Sequence, residues 1–163
     1  MKILLITLPR TGSTSLLTRL SEEFKLNQIN EPFENNNIKQ YENYDWIGSD
    51  EICVKTHINH KDILFYSNFV KLFDKVILVS RKNLRLCAES LAYASYFKVY
   101  SEKYEWINTP NLMHNIELVK KLDGDLNELS KLISIDVMYY EDLFDSKSED
   151  RLRKNDIKRK NLI

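Results

Sequence analysis

The sequence predicts an α/β fold with a central parallel sheet flanked by helices. Three observations point to it. Residues 2–8 form an unbroken apolar run, the signature of a strand covered on both faces. Residues 75–80, KVILVS, repeat that signature in mid-chain. After each run, apolar residues recur at helical spacing, and strands that alternate with helices pair in parallel through crossover connections.

The elements follow in order. After the first strand, residues 13–25 carry Leu16, Leu17, Leu20 and Phe24 at helical spacing, with Ser13, Thr14 or Ser15 placed to cap the start. Residues 27–30 form a short second strand that ends at Glu31-Pro32-Phe33. Residues 34–50 are polar and Asn-rich and read as a loop with one helical turn. A third strand is expected at 52–55, a modest helix at 61–73 and the fourth strand at 75–80. A long helix at 84–104 is followed by another at 111–133, with a break expected at Gly124. Residues 135–139 close the sheet, and 140–143, YEDL, follow directly. The fold occupies 1–145, and the charged tail 146–163 has no apolar periodicity.

Composition narrows the function classes. The 163-residue chain is 43% apolar and 29% charged, with zero net charge, which argues against a general nucleic-acid binder. Cys53 and Cys87 provide neither a disulfide framework nor a metal-binding spacing, as expected for reduced thiols in the cytoplasm. No apolar run approaches the ~20 residues that a membrane span requires. The run after Lys2 is also too short for a signal peptide, and Pro9-Arg10 follows it where small residues would mark cleavage.

The turn after the first strand carries the chemistry. In PRTGSTS, residues 9–15, a helix N-terminus presents backbone N–H groups and the positive end of its dipole to an anion. Arg10 adds a guanidinium, Thr11, Ser13, Thr14 and Ser15 add hydroxyls, and Gly12 lets the chain curl closely. The Walker A pattern is absent, because the loop has one glycine and no lysine before Ser13, and no carboxylate is placed to hold Mg²⁺. An arginine directly before the cap serves an anion better than it serves capping.

LPRTGSTSLLTRL resembles the 5′-phosphosulfate-binding loop of sulfotransferases that use 3′-phosphoadenosine-5′-phosphosulfate (PAPS), P-R-[ST]-G-[ST]-[ST]-L-L. RKNLRLCAES, residues 81–90, is similar to the stretch with which that family binds the 3′-phosphate: an arginine ending a core strand and a serine on the next helix. Here these are Arg81 and Ser90, nine residues apart. An arginine fork suits a dianionic phosphate. INEPF places Glu31 twenty-one residues after Arg10, similar to the general base of the carbohydrate-type and tyrosylprotein members. ICVKTH supplies Lys55-Thr56-His57, which matches the K-[ST]-H stretch whose histidine is the base in cytosolic members. YEDL is a common strand-end feature of the family. The likeness runs from residue 2 to about 145. The tail RLRKNDIKRKNLI departs from the family's R-K-G-x-x-G loop, being basic without glycine.

The resemblance implies a three-layer P-loop-like fold and in-line transfer of a sulfuryl group from PAPS to a hydroxyl or amine of a small-molecule, carbohydrate or peptide acceptor, without a metal. Arg10, Thr11, Gly12, Ser13, Thr14, Ser15, Arg81 and Ser90 would bind the cofactor. Glu31 or His57 would be the base, with Lys55 adding positive charge beside the sulfate. A carboxylate base gives a rate flat above about pH 6, and an imidazole one a rise near 6.5. Two alternatives stand beside this expectation: a small P-loop kinase of nucleotides or metabolites, and a catalytically degenerate PAPS-binding module. Tyr93, Tyr96, Phe97, Tyr100, Tyr104 and Trp106 recur along and beyond the long helix, and stacking on them suits a sugar or a phenol equally.

Overall fold

In the computed structural model, which describes residues 1–34, 45–97 and 111–143, five parallel strands form one sheet. The strands are β1 (Lys2–Thr7), β2 (Asn27–Asn30), β3 (Ile52–His57), β4 (Lys75–Ser80) and β5 (Val137–Tyr139). Their order is β2-β3-β1-β4-β5, and every pairing is parallel. The helices are α1 (Ser13–Phe24), α2 (Ile63–Phe69), α3 (Leu84–Phe97), α4 (Leu112–Ile133) and α5 (Tyr140–Leu143).

The period-2 alternation of the central strands builds a core on each face of the sheet. Leu4, Ile6, Val54 and Leu78 pack with Tyr66 and Phe69 of α2, Cys87 and Ala88 of α3, and Val119, Leu122, Leu126 and Leu129 of α4. Ile3, Leu5, Cys53, Ile77 and Val79 pack on the other side with Leu16, Leu17 and Leu20 of α1 and Leu143 of α5. β1 is buried on both faces, as its unbroken apolar run requires.

Helix ends follow local chemistry. Lys25 and Ser134 adopt the left-handed conformation after α1 and α4. In each case the next residue's N–H also bonds back into the last turn, Leu26 to Ser21 O at 2.8 Å and Ile135 to Ser130 O at 3.1 Å. Asp62 caps α2 by accepting from the Phe65 N–H at 2.7 Å.

Several expectations are corrected. β3 runs two residues past Lys55, because β1 pairs with it as far as Thr7 opposite His57. The helix expected at 61–73 is α2 between 3₁₀ turns at Ile58–His60 and Val70–Leu72. Gly124 does not break α4, whose buried leucines on both sides of it hold the helix on the sheet. A glycine there costs only about 1 kcal/mol relative to alanine, which that burial exceeds. A 3₁₀ turn at Asp45–Gly48 matches the helical turn expected in the loop. The last part of the long helix expected to residue 104, most of the 34–50 loop, the tail, and Tyr100, Tyr104 and Trp106 lie outside the described residues.

The carboxyl ends of the central strands are level: Thr7 lies opposite His57 on one side and Val79 on the other. The chain leaves β1 toward β2 at one edge and leaves β4 toward β5 at the other. A crevice between strands whose connections diverge is where ligands collect in open parallel sheets.

Candidate functional site

The turn after β1 is built to leave a helix end open. Gly12 is the N-cap of α1 at φ 65°, and no side-chain oxygen caps the helix. The expected capping by Ser13, Thr14 or Ser15 is therefore not found. No carboxylate lies in the first turn either, so no acidic side chain there offsets the N-terminal dipole. Thr11 is buried and donates its hydroxyl to Leu8 O at 2.8 Å, so its side chain braces the turn. Ser13 is also buried, Ser15 is half-buried and Thr14 is exposed. Cys87 of α3 donates its thiol to Pro9 O at 3.0 Å and anchors the turn from beneath.

Arg10 sits at φ 64°, a left-handed backbone that costs an ordinary residue about 1–2 kcal/mol. Such strain is characteristic of functional turns. Its Nε donates to Ser90 Oγ at 2.9 Å, while Arg81 Nη1 donates to the Arg10 carbonyl at 3.3 Å. The two residues expected to read one phosphate, Arg81 and Ser90, thus converge on the residue expected to read the other. The Arg81 guanidinium lies over the Tyr140 ring, 4.7 Å from its centroid, and its Nε is 3.6 Å from Glu141 Oε1. Glu141 also accepts from the backbone N–H groups of Lys82 (2.9 Å) and Asn83 (3.2 Å). The YEDL stretch therefore clamps the β4–α3 turn and steadies Arg81, a role for Glu141 that the sequence did not single out.

The strand register assembles a second group of side chains. Asn30 is opposite Lys55, so Glu31 emerges beside the end of β3, where its N–H bonds to Lys55 O at 2.7 Å. Alternation sends Lys55 and His57 to the face that carries α1 and turns Thr56 to the other, where its hydroxyl meets Tyr66 Oη at 3.2 Å. Tyr66 Oη also donates to the His57 carbonyl at 2.6 Å, fixing the strand end. Lys55, with a nearly buried side chain, hydrogen-bonds Glu31 Oε1 and lies 3.5 Å from Thr14 Oγ1 on α1. His57 Nδ1 and His60 Nε2 approach the other carboxylate oxygen, at 3.5 and 3.6 Å. The two imidazoles are stacked at 5.6 Å. Glu31, like Arg10, holds a left-handed backbone, at φ 51°.

Electrostatics here is set by crowding. Burial opposes the charge on Glu31, but His60, His57 and Lys55 outweigh it and hold the carboxyl well below the usual range. Burial first, and then the Lys55 charge, lowers His57 to about 3. His57 is therefore uncharged at neutral pH, and Lys55 is the cation that keeps Glu31 ionised. Burial pushes Cys53 up to about 11 and Cys87 up to about 12, as expected of thiols that serve packing.

Arg10, Glu31, Lys55, His57 and Arg81 thus lie at or just beyond the carboxyl ends of β1, β2, β3 and β4, while Ser13, Thr14 and Ser15 open α1 and Ser90 sits inside α3. His60 was missed. Its signal was the H-x-x-H spacing of residues 57–60, which the tighter match of Lys55-Thr56-His57 overshadowed. No helix among the described residues is long and apolar enough to cross a membrane. No protein-family model matches the chain, and no curated protein matches it. The chemistry of these side chains is therefore the guide to function.

Proposed function

We propose that this chain is a sulfotransferase of P-loop-like, three-layer architecture that moves a sulfuryl group from PAPS to a hydroxyl or amine. The observation that carries the reading is the convergence of Ser90 and Arg81 on Arg10. PAPS has a phosphosulfate on one side of its ribose and a phosphate on the other, and its recognition needs two anion sites joined in one crevice. A nucleoside triphosphate would instead require a lysine in the loop and a Mg²⁺ ligand.

In this reading the first turn of α1, with the Thr14 and Ser15 hydroxyls, receives the 5′-phosphosulfate. Arg81 takes the 3′-phosphate. The acceptor oxygen or nitrogen attacks sulfur in line, the bond from sulfur to the bridging oxygen breaks, and adenosine 3′,5′-bisphosphate leaves. Arg10 and the helix N-terminus stabilise charge on that bridging oxygen. Positioning and electrostatics supply most of the rate, by analogy with phosphoryl transfer. Lys55 lies between Glu31 and Thr14, so an incoming sulfonate can draw its ammonium away from the carboxylate. A carboxylate relieved of that partner rises in pKa and becomes the stronger base for the acceptor proton.

Thermal shift with adenosine 3′,5′-bisphosphate against ATP-Mg²⁺ tests the assignment. Stabilisation by the bisphosphate supports it, and stabilisation by ATP-Mg²⁺ alone ends it in favour of a kinase. The Lys55–Glu31 pairing also favours a second reading, a PAPS-binding module without turnover. Transfer of labelled sulfate to a panel of sugars, phenols and peptides separates the two.

A further inference from the structure

Glu31, His57 and His60 each offer one ligand atom, a carboxylate oxygen and two ring nitrogens, and these lie within 4.8 Å of one another at a strand end. A tetrahedral cation with ligands at about 2.0–2.2 Å holds neighbouring donor atoms roughly 3.3–3.6 Å apart. The carboxylate-to-imidazole edges, at 3.5 and 3.6 Å, already have nearly that length. The third edge, between the two imidazoles, is bounded by the same 4.8 Å. His60 Nε2 is buried with no hydrogen-bond partner among the described residues, and it faces the carboxylate.

The geometry points to a zinc-class divalent cation site made by Glu31, His57 and His60, in which the cation captures the carboxylate that would act as base. Imidazole donors select zinc or cobalt over magnesium and calcium, which require oxygen ligands. Three protein ligands leave one tetrahedral position open. Zinc, Lys55 and Glu31 together carry a charge of about +2, so the fourth ligand is an anion, chloride or hydroxide in ordinary buffer. The binding claim stands on these three side chains alone, whereas its consequence, inhibition of transfer, rests on the sulfotransferase reading.

The test uses the full chain without nucleotide. Titration with zinc chloride should give one saturable site at micromolar concentration, with no response to magnesium chloride. Cobalt chloride should give the intense visible absorption of a tetrahedral ion. His60→Ala and His60→Gln should each lower zinc affinity by at least about 10-fold, since even outer-shell partners are worth that much. Both should abolish the cobalt band while leaving the far-UV circular dichroism unchanged. Absence of a saturable site, or zinc binding and a cobalt band that survive both substitutions, overturns the proposal. Bisphosphate binding without zinc binding rejects the cation site alone. Zinc binding without bisphosphate binding rejects the sulfotransferase reading and leaves the cation site standing.

Discussion

Arg10 Nε donates to Ser90 Oγ at 2.9 Å, joining residues 80 positions apart in the chain. This bond ties the loop after β1 to the middle of α3, so Ser90 is placed to orient Arg10 before any ligand arrives. The sequence resemblance gives Ser90 the 3′-phosphate alone, whereas its bond to Arg10 would give it a hand in both of the proposed anion sites. Ser90→Ala should therefore weaken adenosine 5′-phosphate and adenosine 3′,5′-bisphosphate alike, by about 0.5–1.5 kcal/mol each, the usual net value of a hydrogen bond. Isothermal titration with both nucleotides measures this. A loss confined to the bisphosphate returns Ser90 to the 3′ site only.

Arg81 should behave differently. It reaches the crevice from the end of β4, held over Tyr140 and beside Glu141. Arg81→Ala is expected to weaken the bisphosphate by about 1.5–3 kcal/mol, as for a charge-assisted bond, with much less effect on adenosine 5′-phosphate. Equal losses for both nucleotides would assign Arg81 to the clamp on its turn and not to a phosphate.

The Lys55–Glu31 pair predicts a stability effect separable from catalysis. Both side chains are largely buried, so removing one charge leaves the other uncompensated. Glu31→Gln should destabilise the fold by roughly 2–4 kcal/mol in urea unfolding, and adding Lys55→Met should recover part of that loss. Additive losses in the double variant would mean that the pair is not coupled in the folded state.

The sheet and the turn after β1 were legible because their signals are local. An apolar run at 2–8 is a buried strand in any context, and PRTGSTS announces a turn into a helix. The meeting of Glu31 with Lys55, and through it with His57 and His60, was not legible, because it depends on register. Only the pairing of Asn30 with Lys55 brings residue 31 to residue 55, and a shift by one would turn Lys55 to the opposite face. Gly124 misled for a related reason: propensity signals a break, but burial of Leu122 and Leu126 decides the outcome.

Burial of His57 predicts an acid-sensitive fold. Its folded pKa of about 3 lies below the unfolded value near 6.5, so the unfolded chain binds a proton that the folded chain refuses. Its contribution is fully present above about pH 6.5 and declines as pH falls toward 3. Lys55, His60 and Arg10 face the imidazole and oppose its charge, while Glu31 favours it. Below about pH 4.3 protonation of unfolded Glu31, whose folded pKa is also depressed, adds to the loss. In chelator-treated protein, stability should fall by roughly 1 kcal/mol per pH unit between 6.5 and 5. His57→Asn should flatten that slope, and parallel pH curves for the two proteins would show that the imidazole is not buried neutral.

The same electrostatics changes how the base is identified. With ordinary pKa values, an imidazole base would show a rate rising near pH 6.5 and a carboxylate a flat one. Here both candidates are deprotonated well below that range, so either gives a flat profile from about pH 6 to 8. Substitution must decide instead. Glu31 pairs with Lys55, which also reaches Thr14 on the helix that would receive the sulfuryl group, while the His57 main chain is fixed by Tyr66. Loss of a general base typically costs ~10²–10⁴-fold in rate. Glu31→Gln should therefore abolish transfer with bisphosphate affinity unchanged, provided that the assay temperature keeps the destabilised variant folded. His57→Asn should lower the rate more mildly. Paired measurements of kcat and bisphosphate affinity on both variants check this. An inactive His57→Asn beside an active Glu31→Gln reverses the assignment and makes the imidazole the base.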